Sequence, residues 1–128
     1  MTKICKCVVA FILFAYSATA HEMTPTYPKL TPSHLEGIYK TTMSMFNRRA
    51  DVKYYEIGVF TKEWESIPFV SSYSIIKLDY LSKVTFDVYV RELDVDRAYY
   101  MCSVSKIQKK ESLNTAISSK ICSRFKNE

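Results

Sequence analysis

Across residues 84–91 the chain alternates strictly: Val84, Phe86, Val88 and Val90 are apolar, and Thr85, Asp87, Tyr89 and Arg91 lie between and after them. Successive side chains of an extended strand point to opposite faces, so this stretch has one face for a core and one for water. Such a strand cannot stand alone. It needs neighbours along its edges and a cover over its apolar face.

The neighbours are easy to find. After Asp51 the chain is rich in β-branched and aromatic residues, and strands are predicted over 52–61, 73–81, 84–93, 98–107 and 113–122. Polar breaks at 94–97 and 108–112 read as hairpin turns, so consecutive strands are expected to pair antiparallel. The cover is expected from the residues before Asp51. Leu35, Ile38, Tyr39, Thr42, Met43 and Phe46 recur at helical spacing, with Lys40, Ser44, Asn47 and Arg48 on the other side. Ser33 and Glu36 follow Pro32 with the S-x-x-E spacing of a capping box, and the pattern predicts a helix over 34–48. Gly37 in its first turn would cost up to about 1 kcal/mol. A second register, with the helix over 52–66, is less favourable because Glu56 and Glu63 interrupt its apolar face. The expectation is therefore an α+β fold, with one helix packed across a curved four- to five-stranded antiparallel sheet. In it, Val84, Phe86, Val88 and Val90 face Ile38, Thr42, Met43 or Phe46. Pro25, Pro28 and Pro32 make 21–32 an extended arm.

The first twenty residues have the three parts of a secretory leader: Lys3 and Lys6, an apolar run from Val8 to Tyr16, and Ala18-Thr19-Ala20. Cleavage after Ala20 is expected, leaving a secreted, extracellular domain over 33–128 behind the arm, without insertion in a membrane. The leader takes with it two of the 18 basic residues and none of the 13 acidic ones, so the formal charge falls from +5 to +3. Arg48-Arg49 and Lys109-Lys110 are the only basic doublets left, too sparse for a nucleic-acid surface. Of the four cysteines, Cys5 and Cys7 leave with the leader. Cys102 and Cys122 remain, an even pair expected to be bridged in an oxidising compartment, closing a loop worth about 3 kcal/mol.

Nothing in the sequence marks a catalytic site. The two histidines, His21 and His34, are not at metal-ligand spacing, no serine sits in a G-x-S-x-G setting, and bridged cysteines cannot act as nucleophiles. Gly37 and Gly58 are the only glycines, whereas a phosphate-cradling loop needs several close together. Asp79, Asp87, Asp94 and Asp96 are scattered over strands and turns. No catalytic residue, metal or cofactor is expected, and the chain reads as a monomeric binding or inhibitory module.

The order of leader, proline-containing arm, helix, antiparallel strands and C-terminal cysteine pair resembles the secreted cystatins. The resemblance rests on Phe46-Asn47 at the expected helix end, on Cys102-Ser103, and on Cys122 twenty positions later. Cystatins inhibit papain-like cysteine proteases with a wedge of backbone and apolar loop tips, and the resemblance implies the Cys102–Cys122 bridge and a wedge of two loops. The first would be Ile67, Pro68, Phe69, Val70 and Ser71; the second would include Glu111 and Ser112. The family's Gln-x-Val-x-Gly positions fall on Ile67, Phe69 and Ser71, and its Pro-Trp on Glu111 and Ser112, so the inhibitory motifs are lost. That pattern of loss is similar to the degenerate cystatins of reproductive tissues. The expected partner is a papain-like protease or, alternatively, another extracellular protein; an antimicrobial, membrane-surface role fits a charge of +3 poorly.

Overall fold

A computed structural model, which describes residues 20–106 and 118–126, contains ten strands: β1 (Glu22–Thr24), β2 (Thr31–Pro32), β3 (Ile38–Phe46), β4 (Tyr54–Phe60), β5 (Ser66–Ile67), β6 (Phe69–Ser71), β7 (Ile75–Lys77), β8 (Lys83–Arg91), β9 (Tyr100–Lys106) and β10 (Lys120–Arg124). The only helical element among the described residues is a 3-10 turn, Glu92–Asp94. The strands form two antiparallel sheets. In sheet A the order is β1-β3-β8-β6, with β2 also on β3; in sheet B it is β10-β9-β4-β5, with β7 also on β4. This is the strand order of an immunoglobulin-like sandwich. The α+β expectation is overturned, because the core is closed by a second sheet and not by a helix.

The missing helix is accounted for by one segment. Residues 38–46, the centre of the expected helix, are β3. The same residues satisfy both periods: Met43 belongs to the helical stripe, but it also alternates with Thr41 and Met45, and those three are the ones buried. Three features decide for the strand. Gly37 sits at φ +74°, in the left-handed region that a right-handed helix excludes. The Ser33 hydroxyl does accept a backbone N–H, but from Leu35 at 3.1 Å, inside a turn that the Ser33 N–H closes on the Ile38 carbonyl at 2.9 Å. Ile38, Thr41 and Thr42 are β-branched, and β3 pairs with β8 along its whole length, from Ile38 opposite Arg91 to Phe46 opposite Lys83.

The alternation of residues 84–91 is realised. Phe86, Val88 and Val90 are buried and Val84 packs at the margin of the core. What covers them is Tyr55, Ile57 and Val59 of β4, Ile67 of β5, Ile76 of β7 and Met101 of β9. The expected hairpin at 94–97 is also corrected. Instead β8 and β9 belong to different sheets, and the chain crosses between them through the 3-10 turn. Asp94 holds that corner: it is 1% exposed, its Oδ2 accepts from Arg91 Nε at 2.9 Å, and its carbonyl accepts from the Ala98 N–H.

The 21–32 arm is extended, as its prolines require, and it is built into both sheets. β1 pairs with β3 and buries Met23; beyond Pro25 the chain crosses over, and the Thr26 and Pro28 carbonyls accept from the Arg124 and Lys126 N–H groups. Cys102 and Cys122 face each other on β9 and β10 and are bridged, with Cα atoms 4.1 Å apart. The Ser105 N–H donates to the Ser119 carbonyl and the Phe125 N–H to the Tyr99 carbonyl, which puts the cysteines at a position where the backbones do not bond and side chains come closest. The expected strand over 113–122 lies outside the described residues up to Ile117.

Phe86 is 3% exposed between the sheets. Phe86→Ala is expected to destabilise the domain by about 3–5 kcal/mol in urea unfolding, whereas Thr85→Ala on the outer face should cost under about 1 kcal/mol. Similar losses at both positions would contradict this division of faces.

Candidate functional site

The residues expected to form the wedge are not at a hairpin tip. Ile67 is 2% exposed and belongs to the core from β5; Pro68 carries the chain from sheet B to sheet A; Phe69, Val70 and Ser71 form β6, the outer strand beside β8. Ser71 is fixed by its hydroxyl, which donates to the Asp87 carbonyl at 2.8 Å. Pro68, Phe69 and Val70 line one wall of an apolar hollow on the outside of sheet A. Glu111 and Ser112 lie outside the described residues.

The densest polar cluster is one that the sequence did not advertise. His21 enters the sandwich at the end of β1, 1% exposed, and tilts against Tyr55 with ring centroids 4.5 Å apart. Its Nε2 is 2.7 Å from the Ser103 hydroxyl and its Nδ1 is 3.1 Å from the Ser119 hydroxyl. Arg49 lies alongside, bound through Nε and Nη2 to Asp51 at 2.9 and 2.6 Å. Asn47 ties the end of β3 to its surroundings. Its amide donates to the Val52 and Leu78 carbonyls, and its Oδ1 accepts from Tyr55 Oη at 2.6 Å and from the Arg49 N–H.

A serine hydroxyl 2.7 Å from an imidazole has the spacing of a nucleophile and its base. Here it has no access to substrate, since Ser103 is 0% exposed, and the charged neighbour is a guanidinium where a base needs a carboxylate. The cluster is structural. Burial, with a smaller contribution from Arg49, pushes the His21 imidazole down to about 4 against the raising effect of the Ser103 backbone, and burial pushes the Tyr55 phenol up to about 12. Among the described residues no three His, Cys, Asp or Glu side chains are grouped to hold a metal ion, and no helix is long and apolar enough to cross a membrane.

The remaining candidate is the far edge of sheet B. In the β9–β10 ladder the odd-numbered residues of β10 bond to β9, so the N–H and C=O groups of Lys120, Cys122 and Arg124 point away from it. The 22–28 segment runs beside this edge, with β1 near β10 and the Arg124 N–H on the Thr26 carbonyl; the N–H groups of Lys120 and Cys122 have no backbone partner among the described residues. Beside this edge the outer face of sheet B carries an aromatic cluster. Trp64, at φ 67° in the β4–β5 turn, lies flat on Tyr100, with centroids 4.2 Å apart and planes 5° from parallel. Lys120 Nζ sits 4.2 Å from the Trp64 centroid, and Arg124 Cζ 4.7 Å from that of Tyr99. Gly58 makes room for this layer, because a Cβ there would come within 2.9 Å of the Phe60 ring.

No family model and no curated protein matches the sequence. The sandwich does match solved structures. One is the crystal structure of the E. coli chaperone DraB, with a TM-score of 0.61 and 13% identity over 83% of this chain. The aligned part is 53% of that chaperone, so this chain spans about half its length. At that identity the likeness is one of fold. It leaves the edge of β10 to be judged on its own geometry.

The strand expected over 113–122 overlaps β10, but its place at the sheet edge is not legible in the sequence, because an edge is a property of what does not lie beside a strand. The one available signal was Lys120-Ile121-Cys122-Ser123-Arg124, which places both cations on the same face as the bridged cysteine.

The His21 cluster yields a test. A histidine whose folded pKa lies below its unfolded value of about 6.5 contributes stability that is full above that value and is lost as pH falls through the folded pKa. Unfolding free energy should therefore drop between pH 6.5 and 4, by roughly 3 kcal/mol from this group. His21→Gln should flatten that part of the profile in urea titrations at pH 7, 5 and 4. An unchanged slope would assign the acid sensitivity elsewhere.

Proposed function

We propose that the mature protein is a secreted, non-enzymatic binding module that takes an extended segment of another protein onto the open edge of β10. The observation that carries this is the pair of outward-facing peptide units at Lys120 and Cys122, on a strand pinned to β9 by a disulfide. Adding a strand there would satisfy donors and acceptors that have no backbone partner among the described residues, with backbone hydrogen bonds giving affinity and alternate side chains giving selectivity. Ile121 lies at the margin of the core, so one face of the incoming strand would meet apolar surface and the other Lys120 and Arg124. The bridged cysteines suit an oxidising compartment. The shared sandwich of a chaperone is compatible with this reading and adds nothing about the partner.

The test uses a blocked hexapeptide of alternating threonine and valine as a generic strand. On its addition, amide exchange at Lys120 and Cys122 should slow, while the ladder amides of β9 stay as they were. Lys120→Pro removes an outward N–H that the β9 ladder does not use, and proline is tolerated at strand edges. It should abolish the protection without unfolding the domain, whereas Lys120→Ala should retain it. No protection in the native chain would refute the proposal. In the same preparation, titration of papain and several cathepsins is expected to show no inhibition up to high micromolar concentrations, because the Gln-x-Val-x-Gly and Pro-Trp motifs are lost. Nanomolar inhibition would favour the cystatin-type function instead.

A further inference from the structure

The outer face of sheet A is polar along its middle. Thr42 Oγ1 donates to Asp87 Oδ1 at 2.5 Å, Lys40 Nζ lies 3.6 Å from Asp87 Oδ2, and the Ser44 and Thr85 hydroxyls are 2.9 Å apart. One corner departs from that rule. There Leu35, Val70 and Leu93 are 54%, 68% and 68% exposed. Scattered apolar residues on a surface need no explanation, but these border two adjoining hollows. The first, of about 450 Å³, lies between Leu35, Ile38, Phe69, Val70 and Tyr89. The second, of about 530 Å³, continues it past Ile38 and Arg91 to Glu92 and Leu93.

The walls are held in place. Leu35 sits in the turn closed by Ser33 and Ile38, and the Gly37 carbonyl accepts from the Glu92 N–H at 2.9 Å, fastening that turn to the end of β8. No atom lies within 4 Å of where a Cβ on Gly37 would stand, so the second hollow is open on that side. A site already ordered loses little entropy when it is filled.

Charge selects the occupant. Arg91 lines both hollows, but its Nε and Nη2 are both committed to Asp94 Oδ2, at 2.9 and 2.7 Å. Arg97 Nη1 lies 4.0 Å from the other oxygen of Asp94 and His34 lines the first hollow; Glu92, in the second hollow, and Glu36, in the turn between Leu35 and Gly37, form no ion pair among the described residues. The uncompensated charge at the mouth is negative. We infer that this corner is a docking site for a segment of a partner protein that presents an apolar side chain followed by a basic one. The apolar group fills the hollow between Leu35 and Val70, and the cation meets Glu36 and Glu92. The site is on the sheet opposite the β10 edge and is independent of it.

The probes are N-acetyl-Leu-Lys-amide and N-acetyl-Leu-Glu-amide, titrated into the isotopically labelled full mature chain and followed by amide and methyl spectra. With the lysine probe, saturable shifts are expected at Leu35, Ile38, Val70 and Leu93. The glutamate probe should bind about threefold to fivefold more weakly, the range of an exposed ion pair. Replacing both Glu36→Gln and Glu92→Gln should bring the two probes to equal affinity. Val70→Asp should abolish binding; because Val70 is exposed, the rest of the spectrum should stay in place, and Leu35→Asp repeats the test from the other wall. Absence of saturable shifts at these residues, or equal affinity for both probes in the native chain, would overturn the inference. Signals of Lys120 and Cys122 report separately on the strand edge.

Discussion

The pairing of β3 with β8 is the contact on which the rest of the sandwich depends. Nine residues of each strand align without a break, and each contributes an inward row: Thr41, Met43 and Met45 from β3, and Phe86, Val88 and Val90 from β8. Together they form an apolar floor that no single helix is needed to cover. Tyr55, Ile57 and Val59 of β4, alternating in the same way, supply the ceiling. The short strands β1, β2 and β6 attach to the edges of the floor, and β5, β7 and β9 to those of β4. Where the two sheets meet at the N-terminal end the filling turns polar, and His21, Ser103, Ser119 and Asn47 replace aliphatic packing with hydrogen bonds. Buried polar groups of this kind fix position more than they add net stability, since each is costly if left unpaired.

That polar end also explains which parts of the fold could be read in the sequence. Val84 to Val90 alternate so strictly that one face had to be buried, and it is. The Cys102–Cys122 pair implied neighbouring strands, and β9 and β10 are neighbours. In contrast, Ile38 to Phe46 fit two periods, because Leu35, Ile38, Thr42, Met43 and Phe46 make a helical stripe while Thr41, Met43 and Met45 make a strand face. Methionine and threonine do not separate those options by periodicity alone. Gly37 did carry the answer: at its positive φ it ends a turn instead of continuing a helix. The split into two sheets was not legible, since it depends on the non-local pairing of β4 with β9 and of β3 with β8.

The candidate sites divide in the same way. Pro68, Phe69 and Val70 were visible as an apolar cluster, and they do line a hollow; Ile67, their neighbour in sequence, is inside because the chain changes sheets at Pro68. The aromatic layer of Phe60, Trp64 and Tyr100 could not be foreseen, as it requires the β4–β5 turn to fold Trp64 back across β9. Trp64 in a left-handed conformation is uncommon and carries local strain, which stacking on Tyr100 and the Lys120 cation above its ring offset. Thr61 secures the turn, accepting the Glu65 N–H through its hydroxyl and donating its own N–H to the Glu65 carbonyl.

An open strand edge is ordinarily a route to self-association, so the features that limit it bear on what the edge can accept. The arm bonds to β10 at Arg124 and β1 runs near it; among the described residues the N–H groups of Lys120 and Cys122 are without a backbone partner. Two copies meeting edge to edge in antiparallel register about Cys122 would have to displace the arm from Arg124, and would then set Lys120 of each opposite Arg124 of the other. Like charges directly across a strand pair are destabilising, and this register would impose the repulsion twice. The cations now rest on Trp64 and Tyr99, and such a dimer would hold them in place against one another. A strand without basic residues at those positions meets no such penalty and gains the same backbone hydrogen bonds. The charge pattern of β10 thus disfavours this self-pairing, and the disulfide holds β10 on β9.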